Sequence, residues 1–135
     1  MKIWQLLIVV LIGISQLAIF EPKHSKLDIQ SSQNGKEISI VFKVVPEKDI
    51  LVTDQAPWEL KVIESPGLEV ISPKGGVSKS YDKAIPGFTL KALTKEASGT
   101  LKFRLKAFVC TADKTRCFPE IHKGTYHWPS GVKAK

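Results

Sequence analysis

Cysteine and methionine are scarce here, two of the first and one of the second among 135 residues. Two thiols cannot build a disulfide-dense miniprotein, and they are too few for a four-thiolate zinc site. Acidic residues also run short, with 13 Asp+Glu against 20 Lys+Arg and a formal charge of +7. The chain has no nucleotide-binding glycine motif, no internal repeat and no low-complexity tract. No Ser/His/Asp set and no pair of carboxylates stands out as hydrolytic machinery, and no cofactor is expected. The lysines are spread along the chain, and aromatics do not alternate with arginines as in a stacking platform, so nucleic acid is not an expected partner. The charge reads as a solvated basic surface. The length leaves room for one domain and no second core. What is present, 43% hydrophobic and 24% charged residues, is ordinary for a globular chain and excludes wholesale disorder.

The N-terminus points to export. Lys2 forms a short positive region, and Ile3 to Phe20 is apolar apart from Gln5, Gly13, Ser15 and Gln16. Leu6 to Ile12 has the length of a signal-peptide core, and the whole run barely reaches the roughly 20 residues of a membrane span. Gly13 and Ser15 suit a cleavage point, with Ala18 as a rival. No cysteine follows the run, which argues against a lipid anchor. Residues 1–20 are therefore expected to be a signal helix, or an uncleaved anchor that is the chain's only tie to a membrane. Residues 21–128 would form the domain and 129–135 a flexible basic tail. In an oxidising compartment, a disulfide is the default for the two cysteines.

The domain reads as strands. Leu27 and Ile29 alternate with polar neighbours, Asn34-Gly35 is a hairpin turn signal, and Ile38, Ile40, Phe42 and Val44 recur at period two. Pro46 to Asp49 breaks that run. Trp58, Leu60 and Val62 repeat the alternation, Pro66-Gly67 turns, and Leu68 and Val70 follow. Phe88 to Thr94 is read as a strand ending in the Glu96-Ala97-Ser98-Gly99 turn, although Leu90, Leu93 and Ala97 also fit helical spacing. The cleanest pattern puts Leu101, Phe103, Leu105, Ala107 and Val109 on one face, and Lys102, Arg104, Lys106, Phe108 and Cys110 on the other. Seven or eight short strands at this spacing predict an all-β, immunoglobulin-like antiparallel sandwich, acting as a monomer.

Cys110 and Cys117 enclose Thr-Ala-Asp-Lys-Thr-Arg at the end of the cleanest strand. Such a pair cannot be the inter-sheet disulfide of an antibody domain. Parity turns Cys110 away from the core, so a bond here ties a hairpin at the sandwich rim, near solvent. Closing so short a ring limits its entropic stabilisation to about 2.5 kcal/mol. Lys114 and Arg116 would favour a thiolate and Asp113 would oppose it. An inert staple and an exchangeable redox pair both remain open on these residues. Cys110, Cys117, His122 and His127 have zinc-ligand types, but the spacings are poor and a strand would point the histidines to opposite faces. No metal is expected, and both histidines read as surface residues.

The stretch Gly99-Thr-Leu-Lys-Phe-Arg-Leu-Lys-Ala-Phe-Val-Cys110-Thr-Ala-Asp-Lys-Thr-Arg-Cys117-Phe-Pro-Glu120 resembles the amino-terminal periplasmic domain of DsbD, the thiol:disulfide interchange protein family. Pro46 with Ile50-Leu51, then Pro57-Trp58-Glu-Leu-Lys-Val, Gly67-Leu-Glu-Val and Gly76-Val77, follow a similar order, so the resemblance spans roughly residues 36 to 122. It implies an immunoglobulin-like thiol:disulfide oxidoreductase domain, exported to the periplasm. In that role it takes electrons from a membrane thiol carrier and thioredoxin-like proteins. It passes them to periplasmic proteins, including those of cytochrome c biogenesis. Cys117 would form the mixed disulfides and Cys110 would resolve them. Tyr81, in the segment after Gly76-Val77, would be the aromatic of a cap loop, and Phe118 would flank the sulfur or fill the sandwich end. The sequence departs from the family in one extra residue between the cysteines and in Glu120, where a second proline is common. The family's membrane and thioredoxin-like parts are not within these residues, so an electron donor is expected to act in trans. The rival expectation is a non-enzymatic binding module whose disulfide only closes the hairpin.

Overall fold

The structure is a computed structural model that describes residues 24–129. The segment 1–20 expected to be a signal helix and the tail residues 130–135 lie outside the described residues. A hairpin comes first, β1 (Ser25–Asn34) against β2 (Glu37–Pro46), in unbroken register from Ser25↔Pro46 to Asn34↔Glu37. Gly35 turns it at φ 65°, a left-handed conformation that glycine adopts without strain. Six shorter or interior strands and a long last one follow: β3 (Ile50–Val52), β4 (Glu59–Glu64), β5 (Leu68–Ser72), β6 (Val77–Ser78), β7 (Gly87–Thr94), β8 (Gly99–Thr111) and β9 (Cys117–Trp128).

These form the antiparallel sandwich expected from the strand spacing. One sheet has the order β1-β2-β7-β5. In the other, β8 is central, with β9 along one side and β4 then β3 along the other, and β6 beyond β4. Period-two alternation decides which faces meet. Ile38, Ile40, Phe42 and Val44 of β2 and Phe88, Leu90 and Ala92 of β7 line one inner face. Leu60, Leu101, Phe103, Leu105, Ala107, Tyr126 and Trp128 line the other. Each large apolar side chain buried here contributes roughly 1.5–3 kcal/mol, which makes this layer the dominant stabilising term. The segment after Phe88 is extended and buries Phe88, Leu90, Ala92 and Thr94 at period two, whereas a helix with Leu90, Leu93 and Ala97 inward would have turned Phe88 and Ala92 outward. Strands β3 and β6 were not foreseen. At three and two residues, they are too short to show an alternation.

The two sheets meet along β1 and β9. The Tyr126 hydroxyl donates to Ser31 Oγ at 2.9 Å, and Ser31 Oγ donates to the Pro129 carbonyl at 2.7 Å. Pro129, expected to begin the loose tail, is thus held by β1.

Gly87 opens β7 opposite Lys43, where a Cβ would run into the Phe42 carbonyl. Gly87→Ala is therefore expected to destabilise by about 3 kcal/mol. Gly35→Asn, with open space around its Cβ position, should cost less than about 1 kcal/mol. Denaturant unfolding of both variants measures the contrast.

Candidate functional site

The site begins where β8 runs past its last inward residue, Val109. Cys110 stands directly opposite Cys117 in the β8–β9 register, and the two are joined in a disulfide. The extra residue between them, compared with the family that the sequence resembles, produces no bulge. The ladder stays regular through the cysteine pair, and the next rung is the Thr111 N–H donating to the Arg116 carbonyl at 2.8 Å. Asp113 organises the loop beyond. It accepts hydrogen bonds from the Thr111 hydroxyl at 2.6 Å, the Thr115 N–H at 3.0 Å and the Thr115 hydroxyl at 2.8 Å. These donors, Thr111 foremost, hold its carboxyl down to about 2. The Ala112 N–H donates to the Asp49 carbonyl at 3.0 Å, tying the loop to the turn before β3.

The two cysteines differ in exposure. Cys117 is exposed, whereas Cys110 is only 3% exposed although it lies outside the apolar core cluster. The expectation of a pair near solvent thus holds for Cys117 and needs correction for Cys110. The reason is β3, which lays Leu51 beside Cys110 on the side away from Cys117. Leu51 is itself 43% exposed.

A groove of about 520 Å³ runs beside this row, with Cys110, Leu51, Asp54, Tyr81, Lys83 and Lys114 in its wall. Tyr81 therefore shares a groove with the disulfide. Its ring stacks on the buried Trp58, centroids 4.0 Å apart and planes within 7°. The Trp58 indole N–H is fixed in turn by the Thr53 carbonyl at 2.7 Å. Lys83 and Asp54 pair across the groove at 2.8 Å. That hydrogen bond and charge lower the Asp54 carboxyl and raise the Lys83 ammonium. Burial, helped by the Asp54 carboxylate, raises the Tyr81 phenol, which stays neutral and able to donate.

Phe118 is not brought to Tyr81. Its parity on β9 is that of Glu120, His122, Tyr126 and Trp128, toward the other sheet. It stacks on His24 with centroids 4.4 Å apart, and the Arg116 guanidinium lies 5.8 Å from the ring centre. Phe118 is partly buried and lies outside the apolar core cluster.

Behind Phe118 lies a polar cluster that was not expected. Glu120, 5% exposed, accepts from the His24 N–H at 3.2 Å and the Ser25 hydroxyl at 2.7 Å, and lies 3.1 Å from His24 Nδ1. Ser25 Oγ is also 2.9 Å from His122 Nε2. The serine has one proton and gives it to Glu120, so His122 donates from Nε2. His122, read from sequence as a surface histidine, is 6% exposed, while His127 is exposed on the opposite face. Alternation with Tyr126 and Trp128 would have placed Glu120 and His122 inward. Their partners stand more than ninety positions earlier, which no local pattern reveals. Ser25 is buried and bonded to the carboxylate rather than activated through the imidazole, so this is a corner tie and not a nucleophilic triad. Among the described residues, no group of three His, Cys, Asp or Glu is placed to hold a metal ion.

Burial lowers the His122 imidazole, with the Glu120 carboxylate acting against it. The folded state therefore favours neutral His122 more than the unfolded chain does. The resulting stability is present above the unfolded value near 6.5 and is lost as pH falls toward the lower folded value. Unfolding midpoints measured from pH 7.5 to pH 5 should drop in the wild type, and His122→Gln should flatten that slope while lowering the plateau.

No protein-family model, curated protein or solved structure matches this chain.

Proposed function

We propose that the chain is an exported thiol-disulfide exchange module whose Cys110–Cys117 bond opens and closes in use, relaying electrons between thioredoxin-like proteins, a membrane thiol carrier and periplasmic acceptors. The observation that carries this reading is the unequal exposure of the two cysteines joined in one bond. Exchange requires in-line attack on one sulfur with departure of the other, and an exposed Cys117 beside a shielded Cys110 offers one entry. A partner thiolate attacks Cys117 Sγ, the bond to Cys110 breaks, and Cys110 leaves as a thiolate that takes a proton from solvent. The partner's second thiol then attacks the mixed disulfide, releasing reduced Cys117 and an oxidised partner. In the onward step Cys117 attacks an acceptor disulfide, and Cys110 displaces the acceptor as its dithiol.

The groove beside Cys110 suits the cap role expected of Tyr81, since the ring has a fixed seat on Trp58 and the Lys83–Asp54 pair braces its segment. Export follows from the apolar run Ile3 to Phe20, and activity in cytochrome c biogenesis is one destination for such electrons. The inert-staple reading draws less support. Thirteen residues of β8 are held by three neighbouring strands and the core without help from the bond, so the fold has little need of it.

Equilibration in thiol–disulfide buffers should give a potential above about −300 mV, in the range of exchange proteins. Cys110→Ala should accumulate mixed disulfides through Cys117, and Cys117→Ala should not. Cys110→Ala/Cys117→Ala should fold, with a loss of about 2.5 kcal/mol at most. A pair that stays oxidised far below −300 mV in the native chain would establish the staple instead.

A further inference from the structure

The outward face of the β8-centred sheet has two unlike ends. At the disulfide end, register rows hold Leu51, Cys110 and Cys117, then Phe108 and Pro119. Past a row of Glu59, Lys106 and Ile121, the next row sets Lys61, Arg104 and Lys123 directly opposite one another on three adjacent strands. All three are exposed, and among the described residues none is in an ion pair, whereas the next cation along, Lys102, lies 3.8 Å from Glu64. Like charges placed opposite one another destabilise a sheet. A lysine on an edge strand guards against aggregation, which accounts for Lys123 on β9. It does not account for Arg104 on the central strand. A ligand that supplies the missing negative charge does.

We propose that this face docks a protein whose reactive cysteine is ringed by apolar side chains and flanked by carboxylates. The apolar ring seats on Leu51, Phe108 and Pro119, which brings its thiolate to Cys117, and the carboxylates meet Lys61, Arg104 and Lys123. The assignment rests on the exchange reading and names the chemistry of its partner. On the exchange reading, the exposed Cys117 on the same sheet face favours a protein that brings a thiol over an anionic lipid surface, which brings none, and the unpaired cationic row calls for carboxylates on that protein. Attack runs as above, with the electron pair of the broken S–S bond leaving on Cys110. The cationic row adds attraction during encounter, so it acts on rate and depends on salt.

Two reduced peptides serve as probes for the full chain, acetyl-Asp-Glu-Asp-Gly-Phe-Cys-Leu-amide and acetyl-Lys-Arg-Lys-Gly-Phe-Cys-Leu-amide. Each rate of Cys110–Cys117 reduction is normalised to the thiolate present. At low salt the acidic peptide should react at least about ten-fold faster than the basic one, and the gap should close in high salt. Lys61→Glu/Arg104→Glu/Lys123→Glu should abolish the gap, and the milder Lys61→Gln/Arg104→Gln/Lys123→Gln should shrink it, while the rate for 2-mercaptoethanol, whose thiolate carries a single charge, should change far less than the peptide ratio in both. Equal peptide rates in wild type and variants would overturn the proposal. So would row-dependent sedimentation with phosphatidylglycerol vesicles in the absence of any peptide preference, which would make a lipid surface the occupant. If 2-mercaptoethanol cannot open the bond in the native wild type, the exchange reading itself falls.

Discussion

Along β8, Leu101, Phe103, Leu105, Ala107 and Val109 are all buried, and a one-residue slip against β9 or β4 would turn every one of them to solvent. That constraint locks the register of the central strand with an energy no surface contact matches. It also sets the outward residues. Once Val109 points in, Cys110 points out, and the β9 register places Cys117 opposite it. The position of the disulfide, the cationic row and the buried corner all follow from one alternation.

The unequal exposure of the two cysteines has a different origin. Both cysteines occupy the outward face, but β8 has neighbours on both sides there while β9 is an edge strand. A central-strand cysteine is walled by its neighbours, here by Leu51, and an edge-strand cysteine is not. The asymmetry on which the proposed exchange rests is thus a consequence of sheet order. It does not depend on a catalytic side chain beside the sulfur. Asp113, which would oppose a thiolate, has its charge spent on three donors within the loop.

Much of this was legible in the amino acids, for a physical reason. Period-two patterning in β2, β7 and β8 reports burial of one face directly, so the sandwich, its core and the outward parity of Cys110 could be read without coordinates. Strands β3 and β6 were not, because two or three residues carry no period, and with β3 went the shielding of Cys110 by Leu51. Pro129, the first residue of the expected tail, was no more legible: its carbonyl accepts a hydrogen bond from the Ser31 hydroxyl, far away in sequence. Glu120 and His122 show the same limit from another side. Their inward parity was available from Tyr126 and Trp128, but a buried carboxylate is tolerable only if paired, and the pairing groups belong to β1. Stacking of Tyr81 on Trp58 likewise joins segments that no local pattern connects.

Strand β9 therefore works on both faces at once. Its outward residues include Cys117 and Lys123, and its inward ones, Phe118, Glu120 and His122, are tied to His24 and Ser25. An exchanging disulfide must lose its bond without losing the alignment of its sulfurs, since Cys110 has to return to displace the partner. In a hairpin held only by the disulfide, reduction would let the strand end fray and the return step would slow. Here the ladder from Gly99↔Trp128 to Cys110↔Cys117 and the corner tie behind Phe118 hold β9 independently of the bond. The buried Glu120 cluster, costly to desolvate, fixes the strand end that carries Cys117. Under the proposed exchange role, loosening the corner by protonating His122 would disturb the Cys117 end of β9 before it unfolds the core, because the apolar layer is anchored by β2, β7 and β8.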